Sequence, residues 1–227
     1  MKRVGALNSY RMIMIFIHLY FTYWIFNHWG FRLKTFLYLT KINFFLNFFY
    51  FFSRGIIVSY MSYKLKELPK ESTKYTQKSE KMDNIEKFMN TTFKFSFCLS
   101  VVVNILYWSL VFFLPSMLGE TPTPMTLDLF LHGGNLAVLL VDLIFNMKFN
   151  KDNHFLGKSF LIKFTILYFS MQYFVYYTMN IEIYPMVSKL SLSQYSMVAL
   201  AGFGLFLIGD FFYETFLTSR KLKKKCN

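Results

Sequence analysis

The 227-residue chain is 55% hydrophobic and 22% aromatic, and its mean hydropathy is +0.35. A soluble domain of this length needs more polar residues to cover its surface, so the composition excludes an ordinary soluble globular protein. The formal net charge is +13, which is compatible with nucleic-acid binding until the positions of the basic residues are considered.

Stretches of about 20 apolar residues mark membrane-crossing helices. They recur along this chain and predict an all-α polytopic membrane protein, a six-transmembrane-helix bundle that forms a single membrane domain over residues 1–227. The predicted spans cover about 11–28, 35–60, 88–115, 127–147, 159–180 and 193–217. A cytosolic loop at 62–87, with mixed charges and Pro69, is expected to be mobile or loosely helical, and a basic cytosolic tail follows at 218–227.

The basic residues follow the positive-inside rule. Eighteen of the 25 lie in segments on one side of the predicted membrane: Lys2, Arg3, Arg11, Lys64, Lys66, Lys70, Lys74, Lys78, Lys81, Lys87, Lys148, Lys151, Lys158, Arg220, Lys221, Lys223, Lys224 and Lys225. The opposite loops contain only Arg32, Lys34 and Lys189. The side with most of the basic residues is therefore predicted to be cytosolic, with both termini there. The positive net charge then indicates membrane topology rather than a nucleic-acid partner.

Several predicted spans carry polar or charged side chains. In the second span Thr40, Asn43 and Asn47 follow at i, i+3 and i+7, which places them on one helix face. Four charged residues lie in the middle or cytosolic part of the membrane, and pairing between helices is the plain explanation for them: Lys94, Asp142, Asp210 and Glu214.

The fourth span has one polar side along its length. At 100° per residue, Asn135, Asp142 and Asn146 fall within about 20° of one another around the helix axis. His132 lies about 60° away from them. Ionisable groups at membrane depth often mark function, and an interhelical hydrogen-bond seam without chemistry explains the same pattern. Both interpretations stay open at this point.

Thr40 and His132 are predicted to lie at one depth. Both of their spans begin on the non-cytosolic side, and each residue follows the start of its span by five positions, which is about 7–8 Å at 1.5 Å per residue. A hydroxyl and an imidazole at one depth are the minimum for a base-activated nucleophile. Asp142 is expected about 15 Å deeper than His132, too far to orient it directly.

The chain resembles the androgen-induced-gene/androgen-dependent tissue-factor-pathway-inhibitor-regulating family. The blocks that carry this resemblance occur in the family's order: Lys34–Asn43, His132 with Asp142 ten residues later, Glu182–Pro185 and Leu207–Asp210. Together they span nearly the whole chain.

The resemblance implies a six-span hydrolase of fatty acid esters of hydroxy fatty acids. It would place a threonine nucleophile at Thr40 and a histidine base at His132, with no metal or cofactor. Asn43 and Asn135 are possible oxyanion donors, and Asp142 is a possible supporting residue. A register based on the His-Gly-Gly segment instead puts Asn135 at the catalytic position, where the family often shows a second histidine.

Two further readings remain, a non-catalytic membrane adaptor or regulator of the same family and a small transporter. The chain shows no internal repeat or broken helix pair of the transporter kind. Its last four residues include Lys224 and Lys225, third and fourth from the end as in a cytosolic dilysine retrieval signal. This predicts residence in the endoplasmic reticulum and recognition by a trafficking coat, whereas attraction of a basic tail to anionic lipid explains the same lysines.

Overall fold

The computed structural model describes residues 2–30, 37–69, 72–113, 124–145, 158–181 and 190–225. Across these ranges the regular structure is helical and contains no strand. The helices are α1 (Lys2–Trp29), α2 (Leu39–Lys66), α3 (Thr73–Phe113), α4 (Met125–Phe145), α5 (Lys158–Met179) and α6 (Leu192–Lys225). The all-α prediction is confirmed for the described residues.

Each predicted span falls on one of these helices wherever its residues are described. Four of them, namely α2, α3, α4 and the Leu192–Ser219 part of α6, are long and apolar enough to cross a membrane. The 28-residue α1 and the 22-residue α5 are outside this group. In α5, tyrosine, lysine and glutamine side chains dilute the apolar ones, although the helix is long enough to span.

The outer surface of the helices is strongly apolar. Large side chains such as Phe16, Leu167 and Phe211 are each more than 60% exposed. An aqueous surface rarely carries so many exposed apolar groups, whereas hydrocarbon accommodates them. This surface and the four apolar helices are those of an integral membrane protein.

The segment at 62–87 is more regular than its composition predicts. Helix α2 continues to Lys66 and α3 already begins at Thr73. One face of this helical pair is apolar and packs as a cluster of Val58, Met61, Met82, Ile85 and Met89. Burial of that face stabilises the helices, so the mixed charges occupy a solvated helix face and not a loose loop.

Helix α3 lies at the centre of the bundle and packs against α2, α4 and α6. Its closest approach is to α6 at Gly209, where an added Cβ would lie 3.0 Å from Cys98 Cα. One turn from that crossing, Lys94 Nζ lies 2.8 Å from a carboxylate oxygen of Asp210 and 2.6 Å from one of Glu214. The predicted charge pairing is confirmed for these three residues.

Candidate functional site

The polar face of α2 pairs with α3 as an antiparallel ladder. Ser96 donates to the Asn47 side-chain oxygen at 2.5 Å, and the Asn43 amide donates to Ser100 Oγ at 2.9 Å. All four side chains are buried. Burial without these partners would be costly, so this part of the polar stripe is an interhelical hydrogen-bond seam.

The ladder reaches His132 through α3. Asn104, one turn after Ser100, donates to the backbone carbonyl of His132 at 2.9 Å. His132 lies in a π-helical turn of α4, Phe130–Gly134. Because α2 and α3 are antiparallel, Thr40, which precedes Asn43 by about one turn, lies near the level of Asn104. This matches the common depth predicted for Thr40 and His132.

Thr40 is half-buried in the first turn of α2. On the helical wheel it lies between Asn43, which faces α3, and Phe44, which packs against Leu127 and Leu131 of α4. Its hydroxyl therefore belongs to the face shared by α3 and α4. No hydrogen bond joins Thr40 to His132 within the described part of the chain, and their pairing in catalysis stays a prediction.

His132 is oriented by a residue that the sequence analysis missed. Its Nδ1 lies 3.0 Å from the Asp128 carbonyl oxygen and 3.2 Å from the Asp128 carboxylate. The hydroxyl of Tyr107 donates to the same carboxylate, and the Tyr107 and His132 rings stack with centroids 3.5 Å apart. The signal in the sequence is an aspartate four residues before a histidine, which places both on one helix face.

This arrangement selects one proton position on the neutral ring. Both groups that face Nδ1 are oxygen acceptors, so Nδ1 carries the hydrogen and Nε2 presents a lone pair. The His132 side chain is 12% exposed, unlike the fully buried histidine described next. A partly accessible imidazole held by a carboxylate has the groups that general-base catalysis requires.

Asn135 and His18 form a separate, fully enclosed pair. Asn135 is a neighbour of the His18 ring and donates its amide to the Leu131 carbonyl at 3.2 Å. His18 Nδ1 contacts the Met14 carbonyl oxygen at 2.7 Å. The ring packs among four phenylalanines, Phe44, Phe48, Phe51 and Phe130. Asn135 therefore faces an aromatic interior beside α1, away from Tyr107.

Asp142 belongs to a buried ion pair. Its carboxylate accepts hydrogen bonds from Arg11 Nε at 2.9 Å, from Arg11 Nη2 at 3.2 Å and from the Tyr50 hydroxyl at 2.5 Å. The prediction that Asp142 does not orient His132 agrees with this geometry. The assignment of Arg11 to the solvated N-terminal segment is wrong, because its guanidinium is buried against Asp142 inside the bundle.

The comparison with protein families shows which family this chain belongs to. A family model described as "FAR-17a/AIG1-like protein" matches residues 2–214. The chain belongs to the FAR-17a/AIG1-like family. This confirms the resemblance drawn from the sequence blocks, and the match includes every candidate residue named above. Comparisons with curated proteins and with solved structures found no match.

Two sequence features of this FAR-17a/AIG1-like protein lie at the edge of the described structure. The family-like block Glu182–Pro185 falls outside the described residues. Lys224 and Lys225 form the end of α6, and their side chains are outside the described part of the chain. The reading of this tail as a retrieval signal stays a prediction.

Proposed function

We propose that this FAR-17a/AIG1-like protein is a six-span membrane hydrolase of lipid esters, with Thr40 as nucleophile and His132 as general base. One observation supports the proposal: the Asp128 carboxylate and carbonyl lie at His132 Nδ1, which leaves Nε2 as the proton acceptor. Family membership supports the same reading. The substrate class that the family resemblance implies is a fatty acid ester of a hydroxy fatty acid.

In the proposed reaction, His132 Nε2 takes the proton of Thr40 Oγ1 as that oxygen attacks the ester carbonyl. The tetrahedral intermediate collapses, the carbon–oxygen bond to the alcohol breaks, and the imidazolium gives its proton to the departing alkoxide. An acyl-threonine remains. Water then attacks the acyl carbon as His132 accepts its proton, which releases the fatty acid and restores the Thr40 hydroxyl.

Asp128 and Tyr107 act through His132 in this proposal. The Asp128 carboxylate stabilises the imidazolium that forms on proton transfer, and the hydrogen bond from Tyr107 keeps that carboxylate in place. The stacked Tyr107 ring covers one face of the imidazole. Asn43 remains the proposed donor to the oxyanion, whereas the Asn135 amide donates to the Leu131 carbonyl and faces the interior beside His18. The phenylalanine-rich helices provide apolar surface for the acyl chains.

A non-catalytic adaptor or regulator is the second candidate. It is favoured by Asn135, because in the alternative register the residue at the catalytic position is a neutral amide buried beside His18. An amide does not accept a proton as a general base. The two candidates differ in whether the protein forms a covalent adduct with reactive acyl-like probes.

The test is labelling of the full-length protein by a lipase-directed fluorophosphonate, together with hydrolysis of a lipid ester in reconstituted membranes. We expect labelling of the wild type and of Thr40→Ser, and loss of both labelling and hydrolysis in Thr40→Ala. Thr22→Ala is a matched control, because Thr22 Oγ1 is half-buried and donates only to the His18 carbonyl in its own helix. Labelling of Thr40→Ala at the wild-type level would exclude the assignment, and an unlabelled wild type would favour the adaptor.

We further propose residence in the endoplasmic reticulum membrane, with both termini cytosolic and the Lys224–Lys225 pair read by a trafficking coat. The support is the charge distribution and the position of these lysines near the end of the chain.

A further inference from the structure

The interior of the bundle contains a buried cation, Arg54, that the proposed hydrolysis does not use. Arg54 lies in a π-helical turn of α2, Ser53–Val58, and its side chain is only 1% exposed. Its Nη1 has no hydrogen-bond partner among the described residues, and no carboxylate of that part of the chain pairs with it. Burial of an unpaired guanidinium is strongly unfavourable unless an anion accompanies it.

Asp142, the carboxylate that Tyr50 contacts, is already occupied. Arg54 is close enough to Tyr50 to act on its hydroxyl electrostatically, and that hydroxyl donates to Asp142. The two oxygens of Asp142 also accept both hydrogen bonds from Arg11. Among the described residues, two guanidiniums therefore lie near Tyr50 and only Arg11 pairs with the Asp142 carboxylate.

The backbone of α2 beside Arg54 lies close to Arg11 where α1 crosses α2. An added Cβ on Gly55, next to Arg54, would lie 3.5 Å from Arg11 Cβ and 3.2 Å from Ile15 Cδ1. Glycine therefore permits a close crossing of the two segments that carry the arginines. Ser53, on the same π-helical turn, adds a buried hydroxyl whose oxygen has no partner among the described residues.

The chemistry of this cluster selects an oxyanion. A guanidinium presents a planar set of donors that matches phosphate oxygens, and it keeps its charge at every physiological pH. By the charge distribution of the chain, Arg54 lies toward the cytosolic end of its predicted span, six residues before residue 60, or about 9 Å at 1.5 Å per residue. The cytosolic leaflet supplies anionic phospholipid headgroups at this end of the predicted span.

We propose that Arg54, with Arg11 beside it, binds a phosphate group, and that its source is an anionic phospholipid of the cytosolic leaflet. The bound phosphate neutralises the surplus charge and holds α1 against α2. This site is independent of Thr40 and His132, so it does not rest on the proposed hydrolysis.

The test measures thermal unfolding of the full-length protein in detergent with added phosphatidic acid, diacylglycerol or inorganic phosphate. We expect saturating phosphatidic acid to raise the Tm of the wild type by about 5 °C or more, whereas diacylglycerol, which lacks the phosphate, should not. A comparable shift with inorganic phosphate would assign the site to a free anion and overturn the lipid source. Arg54→Gln should abolish the shift.

Lys64→Gln is the matched control, because Lys64 is an exposed cation farther along the same helix and pairs only with Glu67. It should respond to phosphatidic acid as the wild type does. Equal shifts in the wild type and Arg54→Gln would overturn the proposal, and so would equal losses in Arg54→Gln and Lys64→Gln.

One further measurement covers a variant that fails to fold. If Arg54→Gln does not fold, native mass spectrometry of the wild type should show phosphatidic acid retained at one copy and displaced only by other phosphate-bearing lipids. A wild type without retained phospholipid overturns the proposal.

Discussion

The orientation of His132 depends on a carboxylate one helical turn away. Asp128 and His132 share a face of α4, and the Tyr107 ring from α3 covers the imidazole. Asn135, only three residues farther along, contacts the interior beside α1 instead. The side chains at these two positions therefore have different neighbours, and their substitution should have different effects.

We expect His132→Ala to reduce lipid-ester hydrolysis by several orders of magnitude, because it removes the base. Asn135→Ala should cost far less, with about a hundredfold to a thousandfold, the loss of one oxyanion donor, as the upper limit, because its amide faces the interior beside His18. Asp128→Asn should retain the protein fold and substrate binding but lower kcat, because the imidazolium loses its carboxylate. The measurements are kcat and KM in reconstituted membranes.

The reverse ranking of His132→Ala and Asn135→Ala would show that the alternative register is correct. A rise in KM without a change in kcat for Asp128→Asn would contradict its role in proton transfer.

At the scale of helices, the crossing of α3 and α6 depends on the absence of a side chain at Gly209. A Cβ at this position would lie 3.0 Å from the Cys98 Cα and 3.3 Å from its carbonyl oxygen. Both are backbone atoms, which move only when the helices separate. That separation would also strain the ion pairs of Lys94 with Asp210 and Glu214 nearby.

We expect Gly209→Ala to lower the free energy of unfolding by about 1–3 kcal/mol, the usual cost of overpacking. Gly204→Ala is the matched control in the same helix, because an added Cβ there meets nothing within 4 Å. It should leave stability unchanged or raise it by up to about 1 kcal/mol through higher helix propensity. Thermal unfolding in detergent measures both, and equal effects of the two substitutions would argue against the close crossing.

For the whole molecule, the placement of the basic residues predicts both the membrane topology and the subcellular localisation. The lysines at the end of α6 extend the basic cytosolic side, and their position near the C-terminus matches a dilysine signal. A receptor requires lysines at the free end, whereas a lipid surface responds to charge wherever it lies.

We expect the replacement of Lys224 and Lys225 by Ser, with two lysines added upstream to keep the charge, to release the protein from the endoplasmic reticulum. Fluorescence localisation and glycan maturation on a reporter measure this release. Unchanged localisation of the charge-matched variant would mean that the tail is not the address.

Helix positions and their polar faces could be predicted from the sequence, because hydropathy and the 3.6-residue period are local properties. The stripe of Asn43 and Asn47, the pairing of Lys94 and the common level of Thr40 and His132 follow from this local information. The choice between a mobile and a helical 62–87 segment could not, since its apolar face is stabilised by residues that only the folded chain brings together.

The sequence by itself determined the all-α class, the family and the residues that are candidates for chemistry. Tertiary structure decided their partners: Arg11 for Asp142, Tyr107 with Asp128 around His132, and Asn135 beside His18. It also showed that Arg54 is buried with no carboxylate partner among the described residues. The physical reason is that hydrogen bonds and ion pairs form only at short range. The partner of each polar side chain therefore depends on how its helix is rotated and where it crosses its neighbours, and both depend on packing against segments distant in the sequence. Helical periodicity alone does not distinguish between these partners.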